Sequence, residues 1–224
     1  MCQQEITQAV EDSIAEIRQV FEAEPTRFFT ENDLLCHYYS LLRQRLKQIN
    51  CETCRDRDSA LHNLIHCEYP TPFRCSMGGY TFSIRRDDEP APKRGRYRRG
   101  HYDILVLNPD FIRKYAYEEI RAQNYGFYTR QVREHFDAHS PCVLYGLEFM
   151  YSRSRLPPGS LGNFGLLVGQ DARKLLADQR HCPGFMAKAK ILVFVKGAGA
   201  SRATIEQAVG QSGHGDSILC AVAN

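Results

Sequence analysis

The chain has 224 residues, of which 43% are hydrophobic and 25% charged, and its formal net charge is +3 at pH 7. It is too apolar for a disordered protein, and its length favours one domain with a sizeable core over two domains. No apolar run approaches the roughly 20 residues of a membrane helix, and no secretory signal is recognisable at the N-terminus. The nine cysteines lack the spacing of a disulfide framework and are expected to be reduced thiols of a cytoplasmic protein.

Two amphipathic helices are predicted before residue 50. Apolar residues recur at helical spacing in the first helix, which is expected to end near Pro25. They are Ile6, Val10, Ile14, Ile17 and Phe21. Thr30 is predicted as the N-cap of the second helix, with Asp33 as its capping-box partner. The apolar face of this helix carries Leu34, Tyr38, Leu41, Leu42 and Leu46.

The middle of the chain predicts three strands separated by polar segments. Leu64–Tyr69 is short and apolar, and the prolines at 70 and 72 are expected to end it. Tyr80–Ile84 predicts a second strand, and the polar residues 85–100 predict a loop. Tyr102–Leu107 is strongly β-prone and predicts a third strand, which the following Asn-Pro pair ends.

Helices and strands alternate over the rest of the chain. Residues 110–138 are predicted to be mostly helical, with a break near 124–126. Cys142–Tyr151 is nearly all apolar, which is typical of a central strand covered on both faces. The last elements are predicted as a helix at Leu166–Gln179, a strand at Lys190–Lys196, a helix at Ala203–Val209 and a strand at Ser217–Val222. This order predicts a single α/β domain over residues 1–224, with a mixed central β-sheet flanked by helices on both faces.

Two carboxylates lie where strands are expected. Asp103 is at the start of one predicted strand, and Glu148 is inside the most apolar one. An ionised carboxylate in a dry strand is costly unless it is paired, hydrogen-bonded or bound to a metal. If the two strands are neighbours, the carboxylates converge near one edge of the sheet and suit Mg²⁺. The alternative is an ion pair between Glu148 and an arginine such as Arg153 or Arg155.

Five short segments around these carboxylates resemble motifs of a known family. They are Asp103-Ile-Leu-Val, Leu147-Glu148-Phe149-Met150, Phe29–Leu34, His66–Pro70 and Asp171–Leu175. In this order they resemble the PD-(D/E)XK superfamily of restriction-endonuclease-like nucleases. The resemblance implies a restriction-endonuclease-like core over residues 30–196. An N-terminal helix over 1–25, a helical insertion over 109–139 and a C-terminal helix and strand over 197–224 would surround it.

The resemblance also implies a metal site. In that family the Asp and the Glu bind Mg²⁺ together with the backbone carbonyl after the Glu. Here that implies Asp103, Glu148 and the carbonyl of Phe149, with Mg²⁺ or Mn²⁺ as the cofactor. The metal activates a water and stabilises the charge that grows on the scissile phosphate. Glu31 or Glu68 is expected to supply an additional carboxylate.

One residue of the family motif is missing. The lysine two residues after the Glu corresponds to Met150, whose thioether carries no charge. We expect Lys174, from the helix that follows, to replace it, with Arg153 as the second candidate. The catalytic set implied by the resemblance is therefore Asp103, Glu148 and Lys174.

A basic cluster lies in the polar segment before Asp103. It consists of Lys93, Arg94, Arg96, Arg98 and Arg99. A charge run is more commonly a solvated loop, although arginines on an exposed segment are also typical phosphate contacts. Together with the resemblance, the cluster predicts DNA as the partner. A homodimer is compatible with this prediction, and no membrane partner is expected.

Cysteine and histidine spacing also raises a zinc hypothesis. The pair Cys51-x-x-Cys54 is followed by His62, His66, Cys67 and Cys75. The gap between the cysteine pair and the histidines is unlike that of zinc fingers, and there is no second CxxC. Free thiols are therefore expected rather than structural zinc.

Three functions are compatible with the sequence. The first is metal-dependent phosphodiester hydrolysis of DNA. The second is a catalytically inactive protein that keeps the nuclease fold and binds nucleic acid or a protein, which the loss of the lysine favours. The third is an α/β domain whose carboxylates are only structural. Cleavage requires both Asp103 and Glu148, whereas binding tolerates their loss.

Overall fold

The computed structural model describes residues 2–78, 81–84, 98–121, 130, 132, 134–135, 140–152, 160–181, 184–196, 203, 207 and 218–223. Its helices are α1 (Cys2–Ala23), α2 (Glu31–Gln48), α3 (Pro109–Lys114), α4 (Tyr117–Ile120) and α5 (Leu161–His181). Its strands are β1 (Thr53–Arg55), β2 (Leu61–Asn63), β3 (Ile65–Gly78), β4 (Thr81–Ile84), β5 (Arg98–Leu107), β6 (Val143–Ser152), β7 (Met186–Lys196) and β8 (Ile218–Ala223). A short 3₁₀ turn, Pro25–Arg27, lies between α1 and α2. The chain is therefore an α/β protein, as predicted.

The two N-terminal helices are confirmed because each gathers its apolar residues on one face. The five predicted core positions of α1 are at most 2% exposed. On α2, four of the five predicted positions are fully buried, and only Leu41 is half-buried. The Tyr38 hydroxyl donates to the carbonyl of Val10 at 3.5 Å, which joins α2 to α1.

The N-terminus of α2 is closed by the capping box that the sequence predicts. Thr30 Oγ1 accepts from the Asp33 N–H at 3.2 Å, and Asp33 Oδ2 accepts from the Thr30 N–H at 2.8 Å. We expect Thr30→Ala to lower the free energy of unfolding by about 1 kcal/mol, because it removes the hydroxyl acceptor. Urea denaturation followed by circular dichroism measures this loss, with Gln44→Ala on the exposed side of α2 as the control. An unchanged midpoint for Thr30→Ala would contradict the prediction.

Six strands form a mixed sheet. Their order is β4-β3-β5-β6-β7-β8, and β1 and β2 form a separate antiparallel pair. β3 is antiparallel to both β4 and β5, whereas β7 and β8 are parallel. The predicted mixed sheet is thus confirmed. Its assignment to a restriction-endonuclease-like core stays a prediction.

β3 continues past the prolines that the sequence predicts as its end. Its register with β5 shifts between Pro70 and Arg74. Proline is tolerated at such an irregularity because the ladder is already interrupted there. In this irregular part of the strand, the Thr71 hydroxyl binds two backbone groups. It accepts from the Gly100 N–H at 3.1 Å and donates to the Phe73 carbonyl at 2.7 Å. The predicted end of this strand is therefore wrong.

Two other predicted boundaries are also wrong. β5 begins at Arg98, so the last residues of the predicted loop belong to the strand. The long helix predicted over 110–138 is interrupted, because Tyr115 and Ala116 adopt extended backbone conformations between α3 and α4. The break predicted near 124–126 lies outside the described residues.

The remaining predictions agree with the structure more closely. β6 and β8 are each shifted by one residue, and β7 and α5 begin earlier than predicted, at Met186 and Leu161. Of the predicted helix 203–209, only residues 203 and 207 are described, and both are helical. Among the helices of the described residues, none has the length and apolar character needed to cross a membrane.

The chain folds into two compact units, each assembled from separated segments. The first contains Met1–Glu52, Leu147–Ala172 and Ala189–Asn224. The second contains Thr53–Gly146 and Arg173–Lys188. The single domain expected over residues 1–224 stays a prediction.

Candidate functional site

Glu148 is a buried carboxylate of the first unit. It is 2% exposed and lies in β6 between the buried residues Leu147 and Phe149. The ring of Phe149 packs 5.4 Å from that of Tyr38 and 6.1 Å from that of Phe194. Because side chains alternate along a strand, Glu148 points to the face opposite this aromatic cluster. A carboxylate with so little solvent requires compensation by hydrogen-bond donors, a cation or a metal.

Glu31 binds the end of the same strand. Its Oε2 accepts from the backbone N–H of Tyr151 at 3.0 Å, and the Tyr151 hydroxyl donates to the Phe28 carbonyl at 2.8 Å. These bonds attach the start of α2 to β6, just beyond Glu148 and the half-buried Met150. Two of the predicted carboxylates therefore belong to one unit. The contact observed for Glu31 is structural, and its role as a metal ligand stays a prediction.

Asp103 and Glu68 lie on neighbouring strands of the second unit. Cys67 of β3 pairs with Ile104 of β5, and Tyr69 pairs with Tyr102, so Glu68 and Asp103 lie between two successive pairs. Asp103 is half-buried and Glu68 is exposed. The structure thus places two sequence-predicted carboxylates on neighbouring strands of this unit.

Lys174 is a buried lysine of the second unit, 6% exposed. Its Nζ donates to the backbone carbonyl of His101 at 2.8 Å, two residues before Asp103 on β5. A Cβ added to Gly100 would stand 3.5 Å from Lys174 Cδ and 3.2 Å from Cys75 Sγ. The glycine therefore leaves room for the lysine stem beside the strand. The ammonium group is held against the strand that carries Asp103.

Most of the predicted basic residues lie where no side chain is described. Lys93, Arg94, Arg96 and Arg153 are outside the described residues. Arg98 and Arg99 form the first residues of β5, of which the backbone is described. Their role as phosphate contacts stays a prediction.

The cysteines and histidines of the zinc hypothesis have other contacts. In the second unit, the Cys54 thiol donates to the carbonyl of Pro109 at 3.7 Å, and His62 and His66 bind oxygen atoms of Asp56 and Asn63. Within the described part of the chain, no three His, Cys, Asp or Glu side chains are arranged to hold a metal ion. The zinc hypothesis therefore gains no support, and the expectation of free thiols stays a prediction.

The Asp56–His62 pair is a feature that the sequence did not indicate. The Asp56 side chain is 1% exposed, and its Oδ2 lies 2.9 Å from His62 Nε2. The carboxylate also accepts the backbone N–H groups of Asp58 at 2.9 Å, Ala60 at 2.8 Å and Tyr117 at 3.0 Å. In the sequence, Asp56 sits in a charged turn that is typical of a solvated loop. Only the Asp-x-Asp-Ser pattern, which favours a side-chain-to-backbone turn, hinted at these local bonds.

The pKa of Asp56 predicts a dependence of stability on acid pH. Burial acts to raise this pKa, but the hydrogen bonds from His62 and the three backbone N–H groups outweigh it, and the pKa is lowered. A lowered folded-state pKa stabilises the protein above the unfolded value, about 3.9, and this contribution is lost as pH falls through the folded value. We expect the stability difference between the wild type and Asp56→Asn to be constant from pH 5 to 7 and to shrink below about pH 4. Urea denaturation at pH 7, 5 and 3 measures it, and a difference that persists at pH 3 would contradict the prediction.

Comparisons with protein-family models, with curated protein sequences and with solved structures found no match to this chain. The relation to the PD-(D/E)XK superfamily therefore depends on the sequence motifs alone and stays a prediction.

Proposed function

We propose that this protein hydrolyses phosphodiester bonds of DNA in a metal-dependent reaction. Asp103 and Glu148 are the metal ligands in this proposal, together with the backbone carbonyl of Phe149. Their pairing is inferred from the order of the motifs in the sequence. All three donors are hard oxygen atoms, which suit Mg²⁺ or Mn²⁺. The burial of Glu148 is consistent with a carboxylate that is compensated by a cation.

The observation that carries this proposal is the position of Lys174. The family lysine is replaced by Met150, and without a cationic group the motif lacks a partner for the phosphate. The buried Lys174 ammonium, 2.8 Å from the His101 carbonyl, is a cation beside the strand of Asp103. In a site with little solvent, such a cation interacts more strongly with a phosphate oxygen than it would in water.

Each group has a separate task in the proposed reaction. The metal, when bound, supplies an activated water and charge stabilisation at the phosphate. Asp103 and Glu148 would hold the ion. Lys174 stabilises the negative charge on the phosphate oxygens. The basic cluster around residues 93–99 contacts the backbone of the nucleic acid, which is expected to make binding salt-dependent.

Lys174→Met tests the proposed substitute for the missing lysine. The methionine keeps most of the side-chain volume beside Gly100 and removes the charge. We expect cleavage of DNA to fall by about 10²-fold or more, the usual loss when one charge-stabilising group is removed. The assay measures initial rates on supercoiled plasmid and on single-stranded DNA with Mg²⁺ or Mn²⁺. Lys188→Met, at an exposed position of the same unit, is the matched control.

Undiminished cleavage by folded Lys174→Met protein would remove Lys174 from the proposed mechanism. A folded wild type that cleaves no DNA with either metal would overturn the nuclease proposal. Met150 at the motif position favours the second candidate, a binding module that keeps the fold without catalysis. In that case DNA binding, measured by fluorescence anisotropy, is expected to survive Asp103→Asn and Glu148→Gln unchanged.

A further inference from the structure

A cavity of about 220 Å³ opens in the second unit beside β3 and α4. Part of its wall is apolar, formed by Leu107, Ile112 and Ile120. The other part carries polar side chains, among them His62 and Glu68. Pockets for drug-sized molecules are commonly about 300–1,000 Å³, so this volume suits a single small ring system.

Both histidines of the cavity have one ring nitrogen already committed to an acceptor. His62 Nε2 lies 2.9 Å from the Asp56 carboxylate, and His66 Nε2 lies 3.0 Å from the carbonyl of Asn63. In a neutral imidazole, the nitrogen next to an acceptor carries the proton, and the other nitrogen is then an acceptor. In their neutral forms, both rings therefore offer Nδ1 as a hydrogen-bond acceptor.

An aromatic surface forms another wall of the cavity. The rings of His62 and Tyr117 are stacked, with centroids 5.5 Å apart and an interplanar angle of 19°. Asp56 fixes both partners, because it binds His62 Nε2 and the backbone N–H of Tyr117. Tyr117 is nevertheless 44% exposed. A rigid and partly uncovered aromatic ring is a surface on which a flat ligand can stack.

Glu68 adds a carboxylate in an unfavourable backbone conformation. Its φ is 50°, in the left-handed region, which residues other than glycine rarely adopt. Such strain persists only where the surrounding structure imposes it, and it is concentrated at functional sites. Glu68 lines the cavity together with the two histidines. The polar wall therefore carries acceptors and a negative charge, together with the Arg121 guanidinium, which pairs with Glu118 at 2.9 Å.

We propose that this cavity binds a nucleobase that carries an exocyclic amino group, namely cytosine, adenine or guanine. A flat heteroaromatic ring matches the aromatic wall and the volume, and an N–H₂ group matches the histidine nitrogens and the Glu68 carboxylate. The base comes either from a free nucleoside or from an unpaired nucleotide of a nucleic acid. This inference uses neither Glu148 nor Lys174, and Glu68 is the one residue that it shares with the proposed nuclease site.

The test is a titration followed by NMR in EDTA, so that metal-dependent cleavage does not enter. The methyl resonances of Ile112 and Ile120 report on the cavity. Cytidine, adenosine, guanosine and uridine are added separately, followed by a short single-stranded oligonucleotide. We expect the amino-bearing nucleosides to shift these methyls and uridine to bind about tenfold more weakly, the factor for one lost hydrogen bond to a charged group. Shifts with the oligonucleotide alone would support the proposal and identify nucleic acid as the source of the base.

Glu68→Gln is the decisive variant because it removes the charge at an exposed position without changing the size of the side chain. It is expected to weaken binding of the amino-bearing bases about tenfold and to leave uridine unaffected. Glu5→Gln, on the exposed side of α1, is the matched control. Three results would each overturn the proposal. They are equal binding of uridine and the amino-bearing bases, unchanged affinity of Glu68→Gln, and the absence of any methyl shift with all ligands.

Discussion

Glu148→Gln is expected to reduce Mg²⁺-dependent cleavage of DNA by at least about 10³-fold, while the protein stays folded. Glutamine keeps the size of the side chain in β6 but lacks the charge that holds a divalent ion. A metal contributes several kcal/mol to charge stabilisation, and each 1.36 kcal/mol corresponds to a factor of ten in rate. Initial rates of plasmid nicking measure the loss. Mg²⁺ binding by calorimetry provides a second readout that does not depend on turnover.

Three further variants complete this experiment. Asp103→Asn is expected to cause a loss of similar size, and the double variant little more, because ligands of one ion act as a unit. Glu5→Gln is expected to retain the wild-type rate. Wild-type cleavage that survives Glu148→Gln would contradict the assignment of Glu148 as a metal ligand. Circular dichroism of each variant separates lost chemistry from lost folding.

The second large effect is expected from Asp56→Asn, which should lower the free energy of unfolding by about 3 kcal/mol. The carboxylate is buried and satisfies three backbone N–H groups as well as His62. The asparagine side chain keeps one acceptor oxygen. Its NH₂ group faces hydrogen-bond donors of the protein, which then have no acceptor. Breaking a buried pair and leaving buried donors unsatisfied costs amounts of this order. Urea denaturation at pH 7 measures the change.

Asp58→Asn is the matched control for this variant. It lies in the same turn, but its side chain is 65% exposed, so only a small effect is expected. A loss below about 1 kcal/mol for Asp56→Asn would show that its four hydrogen bonds contribute little to the fold. The same variant also releases His62 and Tyr117, and it is therefore expected to weaken nucleobase binding in the cavity.

The elements that the sequence predicted well are those with a strong local pattern. α1 and α2 follow from apolar residues at helical spacing, and the Thr30 cap follows from a partner three residues away. β6 follows from an apolar run and differs by one residue. In each case the residues that determine the element are close in the sequence, so the information is local.

The boundaries that were wrong depend on distant parts of the chain. β3 passes its prolines because Thr71 bonds to Gly100, a partner 29 residues away. The helical region after Asp110 is interrupted where the N–H of Tyr117 binds Asp56, 61 residues away. Propensity indicates a strand end at proline and helix from 110 up to the predicted break near 124–126, and tertiary hydrogen bonds override both preferences.

The same distinction between local and distant determinants applies to the candidate site. By itself, the sequence determined that Glu148 is a carboxylate in a buried strand, since its neighbours are all apolar. Only the tertiary structure decided that Lys174 binds the carbonyl of His101, 73 residues away, and that Asp56 binds the backbone N–H of Tyr117, which lines the cavity. The physical reason is that the spacing of apolar and polar side chains can be read directly from the sequence. The backbone carbonyl is chemically the same in every residue, and so is the N–H of every residue except proline. The sequence therefore does not identify the hydrogen-bond partner of such a group, which depends on the folded structure.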